Sequence, residues 1–427
     1  MKTKTSTLGK LPIVLLTLLT LLGLWWVVAA PPDEVRLAND QYPLSAPPDA
    51  VKKVRSALDD VALSAKTTPG DLPGYDDIVL QESLGRAWVT AMDGQIWRVD
   101  LASGRQEPWV RTPLIPSGAR MDPKDPDVLY FCASRLYGVQ HPANEQPGIY
   151  KLHLATRRIE AVALRVAATS EPPERERVLP EEGATYLAPA AMTPGNSRAI
   201  AFCNDLDISA DGRRLYFSEP YAFAGASMGG GALNEAIARS RNSRLWLIDL
   251  ERGARPVAQG FAFIDGILIE PGQDGGREQS VLVTETTNFR LLRLLLSGPK
   301  AGTHEVLQVS LPGLPDGLER DPQGRLWIGL IKERSAVTTW LHNHPWIKPL
   351  LLRLPHALLP VPKRTGLMAL SPDGRTPLYL SFHDGLTVPE ISAVGSGSKA
   401  LYPARFERNS RGFVSMPYPA AVPAAPP

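Results

Sequence analysis

Short β-prone runs, each set behind a polar or Gly-rich turn, recur along the chain: Arg86-Ala87-Trp88-Val89, Val128-Leu129-Tyr130-Phe131, Arg214-Leu215-Tyr216-Phe217, Ser280-Val281-Leu282-Val283, Arg325-Leu326-Trp327-Ile328 and Pro377-Leu378-Tyr379-Leu380. With Trp88, Tyr130, Tyr216, Leu282, Trp327 and Tyr379 as markers, the spacings are 42, 86, 66, 45 and 52 residues. A unit of about 45 residues, lengthened by insertions, is the period of a four-stranded propeller blade. Four of the markers are followed by alternating runs that read as outer strands with one buried face: Gln95 to Val99, Gly148 to Leu152, Arg244 to Ile248 and Phe289 to Leu294. The unit is clearest in Leu311 to Leu330, where Asp316-Gly317 opens a strand, Asp321-Pro322-Gln323-Gly324 turns it, and Leu326-Trp327-Ile328 returns. The pattern predicts an all-β fold, a six-bladed β-propeller with helical and loop insertions.

The flanks differ from the repeats. Lys2, Lys4 and Lys10 precede an uncharged run from Leu11 to Ala30, which as a helix reaches about 30 Å, the thickness of a bilayer core. Residues 1–30 are therefore expected to be an N-terminal transmembrane signal-anchor, with the bulk of the chain on the extracytoplasmic side (periplasmic, extracellular or lumenal). A cleaved signal peptide ending at Ala29 or Ala30 is the alternative. Residues 31–73 read as a stalk against the propeller edge, with Val51 to Ala65 as a short amphipathic helix. Residues 74–410 read as the propeller, and 411–427 as a disordered Pro/Ala tail. Three stretches interrupt the blades: Ala167 to Asn196, Tyr221 to Arg241, and the Leu-rich Trp340 to Pro362, which either packs on the propeller or touches the membrane.

Charge and cysteine content narrow the partners. The 427 residues carry 46 Lys and Arg against 44 Asp and Glu, so no global basic field points to nucleic acid. Cys132 and Cys203 are too few for a disulfide framework. Two buried thiols are the default, and one bridge stays open for an exported domain.

Candidate chemistry follows from phase. The innermost strand of every propeller blade lines the channel, so residues at equal distance before each marker form a ring. Asp76 and Asn204 lie 12 residues before theirs, Asp316 lies 11, and Asp265 lies 17 with a Gly-rich loop as the excess. Gly118 and Leu367 hold this phase in the other two blades and offer no side-chain ligand. Three carboxylates and an amide converging on a narrow channel repel one another unless a cation neutralises them. Hard oxygen donors without thiolate or imidazole select Ca²⁺. Asp76, Asn204, Asp265 and Asp316 are thus the expected metal ligands.

Phe202-Cys203-Asn204-Asp205-Leu206-Asp207, Phe263-Ile264-Asp265-Gly266, Leu311 to Asp316 with Leu326 to Leu330, and His344-Pro345-Trp346 resemble the strictosidine synthase-like family. The wider superfamily includes gluconolactonases and paraoxonases, and the resemblance implies a six-bladed propeller with channel calcium that hydrolyses esters or lactones. The chain departs from the family at three ring positions: Asp265 and Gly317 stand where Asn is frequent, and Asp76 where Glu is frequent. Glu390-Ile391-Ser392-Ala393 only loosely matches the last-blade glutamate of the synthases. The expected function is calcium-dependent hydrolysis of a small ester or lactone, with Asp316, Asp205 and His383 as candidate catalytic residues. The alternatives are a carbon–nitrogen condensing lyase and a non-catalytic scaffold with a structural metal. No Gly-x-Ser-x-Gly nucleophile elbow is present.

Overall fold

The computed structural model describes residues 11–28, 37, 42–168, 175–223, 225–272, 277–355, 358–359 and 361–422. Six antiparallel sheets form six blades, and their innermost strands touch one another in a closed ring. Blade 1 is Tyr75–Gln81, Arg86–Ala91, Gln95–Asp100 and Gln106–Arg111, and blade 2 is Ile115–Met121, Val128–Ser134, Gly148–His153 and Arg158–Ala163. Blade 3 is Leu206–Ile208, Arg214–Glu219, Ser243–Asp249 and Gly253–Phe261, with Arg177–Val178 as a fifth outer strand. Blade 4 is Ile264–Pro271, Glu278–Glu285, Arg290–Leu295 and His304–Gln308, and blade 5 is Gly313–Arg320, Leu326–Glu333, Thr365–Leu370 and Pro377–His383. Blade 6 is Val394–Ser396, Ala400–Pro403 and Phe413–Pro417, completed by the N-terminal strand Lys66–Thr68.

Apolar side chains from consecutive blades fill each junction. Trp88 meets Leu129 and Phe131 between blades 1 and 2, Tyr130 meets Phe217 and Trp246 between blades 2 and 3, and Trp327 meets Leu401 and Val414 between blades 5 and 6. The markers Trp88, Tyr130, Tyr216, Leu282 and Trp327 each sit on the second strand of their blade, as predicted. Tyr379 does not. It lies on the outermost strand of blade 5, because the helical insertion separates that blade's second and third strands and makes its last strand look like a new repeat.

Other expectations are corrected at the flanks. The tail begins later than predicted, since Phe413–Pro417 is a blade strand and Val422 is buried, while 423–427 lie outside the described residues. Part of the supposed stalk belongs to the propeller: Lys66–Thr68 pairs with Phe413–Pro417, and the helices Asp49–Lys53 and Asp60–Ser64 bury Val51 and Val61. The N-terminal apolar run forms the 18-residue helix Leu11–Val28, about 27 Å long. Residues 1–10 and 29–30 of the predicted anchor lie outside the described residues, and among the described residues no helix is long and apolar enough to cross a membrane. The thiols are not free either. Cys132, on the second strand of blade 2, and Cys203, just before the inner strand of blade 3, form a disulfide with a Cα separation of 5.2 Å.

Candidate functional site

The inner strands do not run regularly through the ring. Register breaks fall between Tyr75 and Asp77, Pro116 and Ala119, Ile264 and Ile267, and Pro315 and Leu318. Each break holds a ring position: Asp76, Gly118, Asp265 or Asp316. A bulge leaves a residue out of the ladder and re-aims it, which is how these side chains reach the axis. Asp76, Gly118, Asn204, Asp265 and Asp316 line one cavity of about 20 Å³, together with Gly317 and Ser392. That volume suits a single water-sized species. Leu367 is not there: it sits on the third strand of blade 5, and the sixth blade contributes Ser392 instead, whose Oγ donates to the Asp76 carbonyl at 3.0 Å. Gly317 answers a packing demand, because a Cβ there would meet the Ala393 Cβ at 2.8 Å and the Ser392 carbonyl at 3.0 Å. The family's asparagine has no room at this position.

The ring's electrostatics are unfavourable as they stand. Burial, then the charges of Asp265, Asp77 and Asp205, push the Asp76 carboxyl well above its usual range. Burial, then Asp265 and Asp76, do the same to Asp316. Asp265 is 5% exposed, and burial raises it to about 6 despite hydrogen bonds with Asp316, Thr286 and Asn204. The Asn204 amide nitrogen donates to Asp265 Oδ1. Such crowding of acids calls for a cation or for protons.

The neighbouring acids have other duties. Asp205 accepts from the Leu206 N–H at 2.8 Å and from the Ile267 N–H of blade 4 at 2.9 Å, while its own N–H donates to Ser218 Oγ. Asp77 repeats the arrangement two junctions earlier, accepting from Ile78 N–H at 2.8 Å and from Ala119 N–H of blade 2 at 2.9 Å, with Thr90 as the hydroxyl. In both cases Asp and hydroxyl are 13 residues apart. Asp205 is therefore a clamp between blades 3 and 4, each of its oxygens accepting one backbone N–H, and it also lines the cavity. Gly118 packs against it: a Cβ there would lie 2.1 Å from Asp205 Oδ1. Arg120 closes the layer beside the ring, pairing with Asp77 at 3.1 Å, Glu319 at 3.3 Å and Asp207 at 3.7 Å.

His383 is not brought to the channel. It ends the outermost strand of blade 5, fully buried, away from the residues that line the cavity. Its neighbours are Asp59 and Asp384. A strand with a period of two buries such a histidine against the next layer, which no motif in the sequence distinguishes from a channel position. Sequence reasoning also missed Ser392, Asp77 and Arg120; the shared separation of 13 residues between acid and hydroxyl was the available signal for the clamps.

Met92, Ile115, Phe202 and Phe263 form a buried apolar cluster with Tyr221 and Met228 of the second insertion. Tyr221 stacks on Phe223 at 5.0 Å and meets Phe263 edge-on at 5.6 Å. For a metal, the donor chemistry fits: three carboxylates, an amide and a hydroxyl, all oxygen-rich. Among the described residues, the set of three titratable ligands lying within 4.8 Å of one another is elsewhere. Asp265 and Asp316 are hydrogen-bonded to each other, and with Asp76 added the three carboxylates do not all fall within that distance. This suits a ligand whose short arm reaches a calcium-sized ion through water.

No family model matches the chain. It is 31% identical over 222 residues to strictosidine synthase-like protein 10 of Arabidopsis thaliana, covering 49% of this chain and 55% of that protein. It is 28% identical over 239 residues to adipocyte plasma membrane-associated protein of Gallus gallus, covering 54% and 55%. The chain thus spans about half the length of the curated relatives it matches. Among solved structures it is similar to a luciferin-regenerating enzyme, with TM-score 0.50 at 11% identity over 84% of this chain and 96% of that one. A gluconolactonase of Xanthomonas campestris aligns with TM-score 0.48 at 14% identity, over 90% and 99%. The resemblance read from the ring motifs is borne out in its relatives.

Proposed function

We propose that this chain hydrolyses esters or lactones at a metal held in the central channel. The observation that carries the reading is the meeting of Asp76, Asn204, Asp265 and Asp316, from four separate blades, around one small cavity in which burial and mutual repulsion disfavour the ionised forms of the three carboxyls. These four residues would hold calcium, and a bound divalent cation supplies Lewis-acid polarisation of a carbonyl and charge to stabilise an oxyanion. The cavity's size keeps the organic part of a substrate outside it. Asp316 takes the proton from attacking water.

The condensing-lyase alternative has less support. Glu390, the loose match to the synthase glutamate, is ion-paired with Lys332 at 2.7 Å and is not among the residues lining the cavity. The reading places the propeller on the extracytoplasmic side of a membrane. The Cys132–Cys203 bridge favours an oxidising compartment. The exposed leucines of Leu11–Val28 and the exposed Trp346 and Leu358 of the third insertion offer apolar surface for lipid.

The test uses the full chain in detergent with phenyl acetate and a panel of lactones. Calcium chelation and Asp316→Asn should each abolish turnover. Absence of turnover with calcium present, or turnover that survives both treatments, refutes the reading and leaves a binding scaffold.

A further inference from the structure

Asn204 is held differently from the other residues of the ring. Asp76, Gly118, Asp265 and Asp316 lie within the inner strands of their blades, whereas Asn204 precedes Leu206–Ile208, an inner strand of three residues. Its own blade holds its backbone through the Asn204 N–H, which donates to the Ser218 carbonyl at 3.1 Å. Blade 2 supplies more of the grip. The Gly118 N–H donates to the Asn204 carbonyl at 2.9 Å. At the preceding residue, Ser134 Oγ accepts the Cys203 N–H and donates to the Cys203 carbonyl, both at 2.9 Å, and Ser117 Oγ donates to the same carbonyl at 3.3 Å. The Cys132–Cys203 bridge then fixes that residue covalently to the second strand of blade 2. Both cysteines and both serines are fully buried, in an interior where a change of atomic volume is felt by every neighbour.

We propose that Cys203 is a positioning residue for Asn204, and that the channel gains its full affinity for a cation only once the Cys132–Cys203 bridge has closed. This rests on the reading of Asn204 as one of the four residues that would hold calcium. The Asn204 side chain donates to Asp265 of blade 4, so a shift at residue 203 passes to two positions of the ring. Without the bridge the sulfurs are separate thiols that no longer share a bond. They move apart within close packing, and the backbone at Cys203 and Asn204 moves with them. Closing the bridge removes two electrons and two protons from the thiols. A disulfide-donating partner of an oxidising compartment accepts them and leaves as a dithiol. The same step thereby completes the cation site.

The test is calorimetric titration of calcium into the full chain, stripped with chelator and kept in detergent, with circular dichroism to confirm folding. Loss of a group that orients a metal ligand weakens binding about 10–100-fold, and Cys132→Ala with Cys203→Ala should do so. Asp321→Ala, a buried change outside the residues that line the cavity, should bind calcium as the parent does. Equal weakening there would trace the effect to lost stability and overturn the proposal. In an Asn204→Ala background, removing the bridge should cost no further affinity; a further loss of about tenfold or more overturns a role acting through Asn204. If the bridge-free chain does not fold, Ser134→Ala takes its place, since it keeps the bridge, removes two hydrogen bonds to Cys203 and should weaken calcium several-fold. Unchanged affinity in whichever of these chains is measured overturns the proposal and leaves the hydrolase reading standing. A parent chain that takes up no calcium overturns both.

Discussion

The two matched clamps allow a decisive test of whether Asp205 does chemistry or holds blades together. Asp77→Asn and Asp205→Asn each keep one acceptor oxygen and turn an amide NH₂ toward a backbone N–H that the carboxylate had satisfied, at 2.9 Å across the blade junction in both cases. A buried donor left unmet costs about 1–3 kcal/mol. Removing one negative charge from a crowded channel offsets part of this, so a net loss of roughly 2 kcal/mol is expected for each. For 427 residues, an unfolding entropy of about 2.1 cal/mol/K per residue converts this to a fall in Tm of roughly 2 °C. Calorimetry with calcium present measures it, and ester turnover at 25 °C is read on the same samples. Both variants should lose similar stability and keep turnover within a few-fold of the parent. A residue moving protons in the reaction contributes about 10²–10⁴-fold. The clamp argument fails if Asp205→Asn alone silences turnover by that factor at unchanged Tm, or if neither variant shifts Tm.

Three further outcomes are expected. Asp321 accepts from Arg325 Nε at 2.6 Å and Trp327 Nε1 at 2.9 Å in a fully buried setting; Asp321→Ala removes this buried carboxylate from Arg325 and Trp327 and should cost about 3–5 kcal/mol in denaturant titration, and a loss under 1 kcal/mol would contradict this. Reducing the Cys132–Cys203 bridge, which spans 71 residues, should cost up to about 4 kcal/mol, seen as a lower urea midpoint for Cys132→Ala with Cys203→Ala, and an unchanged midpoint would count against it. Burial raises the Glu235 carboxyl to about 7, so the folded state favours its protonated form. The associated stability is complete below pH ~4.5 and declines as pH rises through ~7, by about 3 kcal/mol in all; Glu235→Gln should flatten that slope between pH 5 and 8, and an identical slope in the variant would disprove the assignment.

How much of this was legible in the sequence depended on what each feature rests on. Second strands carry a bulky side chain to the blade junction, and Trp88, Tyr130, Tyr216, Leu282 and Trp327 announce themselves by composition. The sixth blade does not, because Ala400–Pro403 is only four residues long and Pro377–His383 mimics a marker strand. Lys66–Thr68 is polar and surface-facing, recognisable only through its backbone pairing. The residues that meet in the ring were found by phase, since bulges recur at the same level of four inner strands. His383 was misread because a buried strand histidine looks alike in sequence whether it packs or catalyses, and the clamp made by Asp205 was missed because nothing local marks its partner on the next blade.

The pairing of Lys66–Thr68 with Phe413–Pro417 makes the first and last strands of the propeller neighbours in one sheet. During vectorial synthesis the first strand must therefore wait, unpartnered, until Phe413–Pro417 has emerged. Until then the assembly is an open fan with an uncovered sheet edge, vulnerable to strand-to-strand association. The same adjacency means that joining Pro417 to Lys66 through a short linker and opening a turn such as Asp321 to Gly324 would relocate the seam, converting a late, long-range closure into an early, local hairpin.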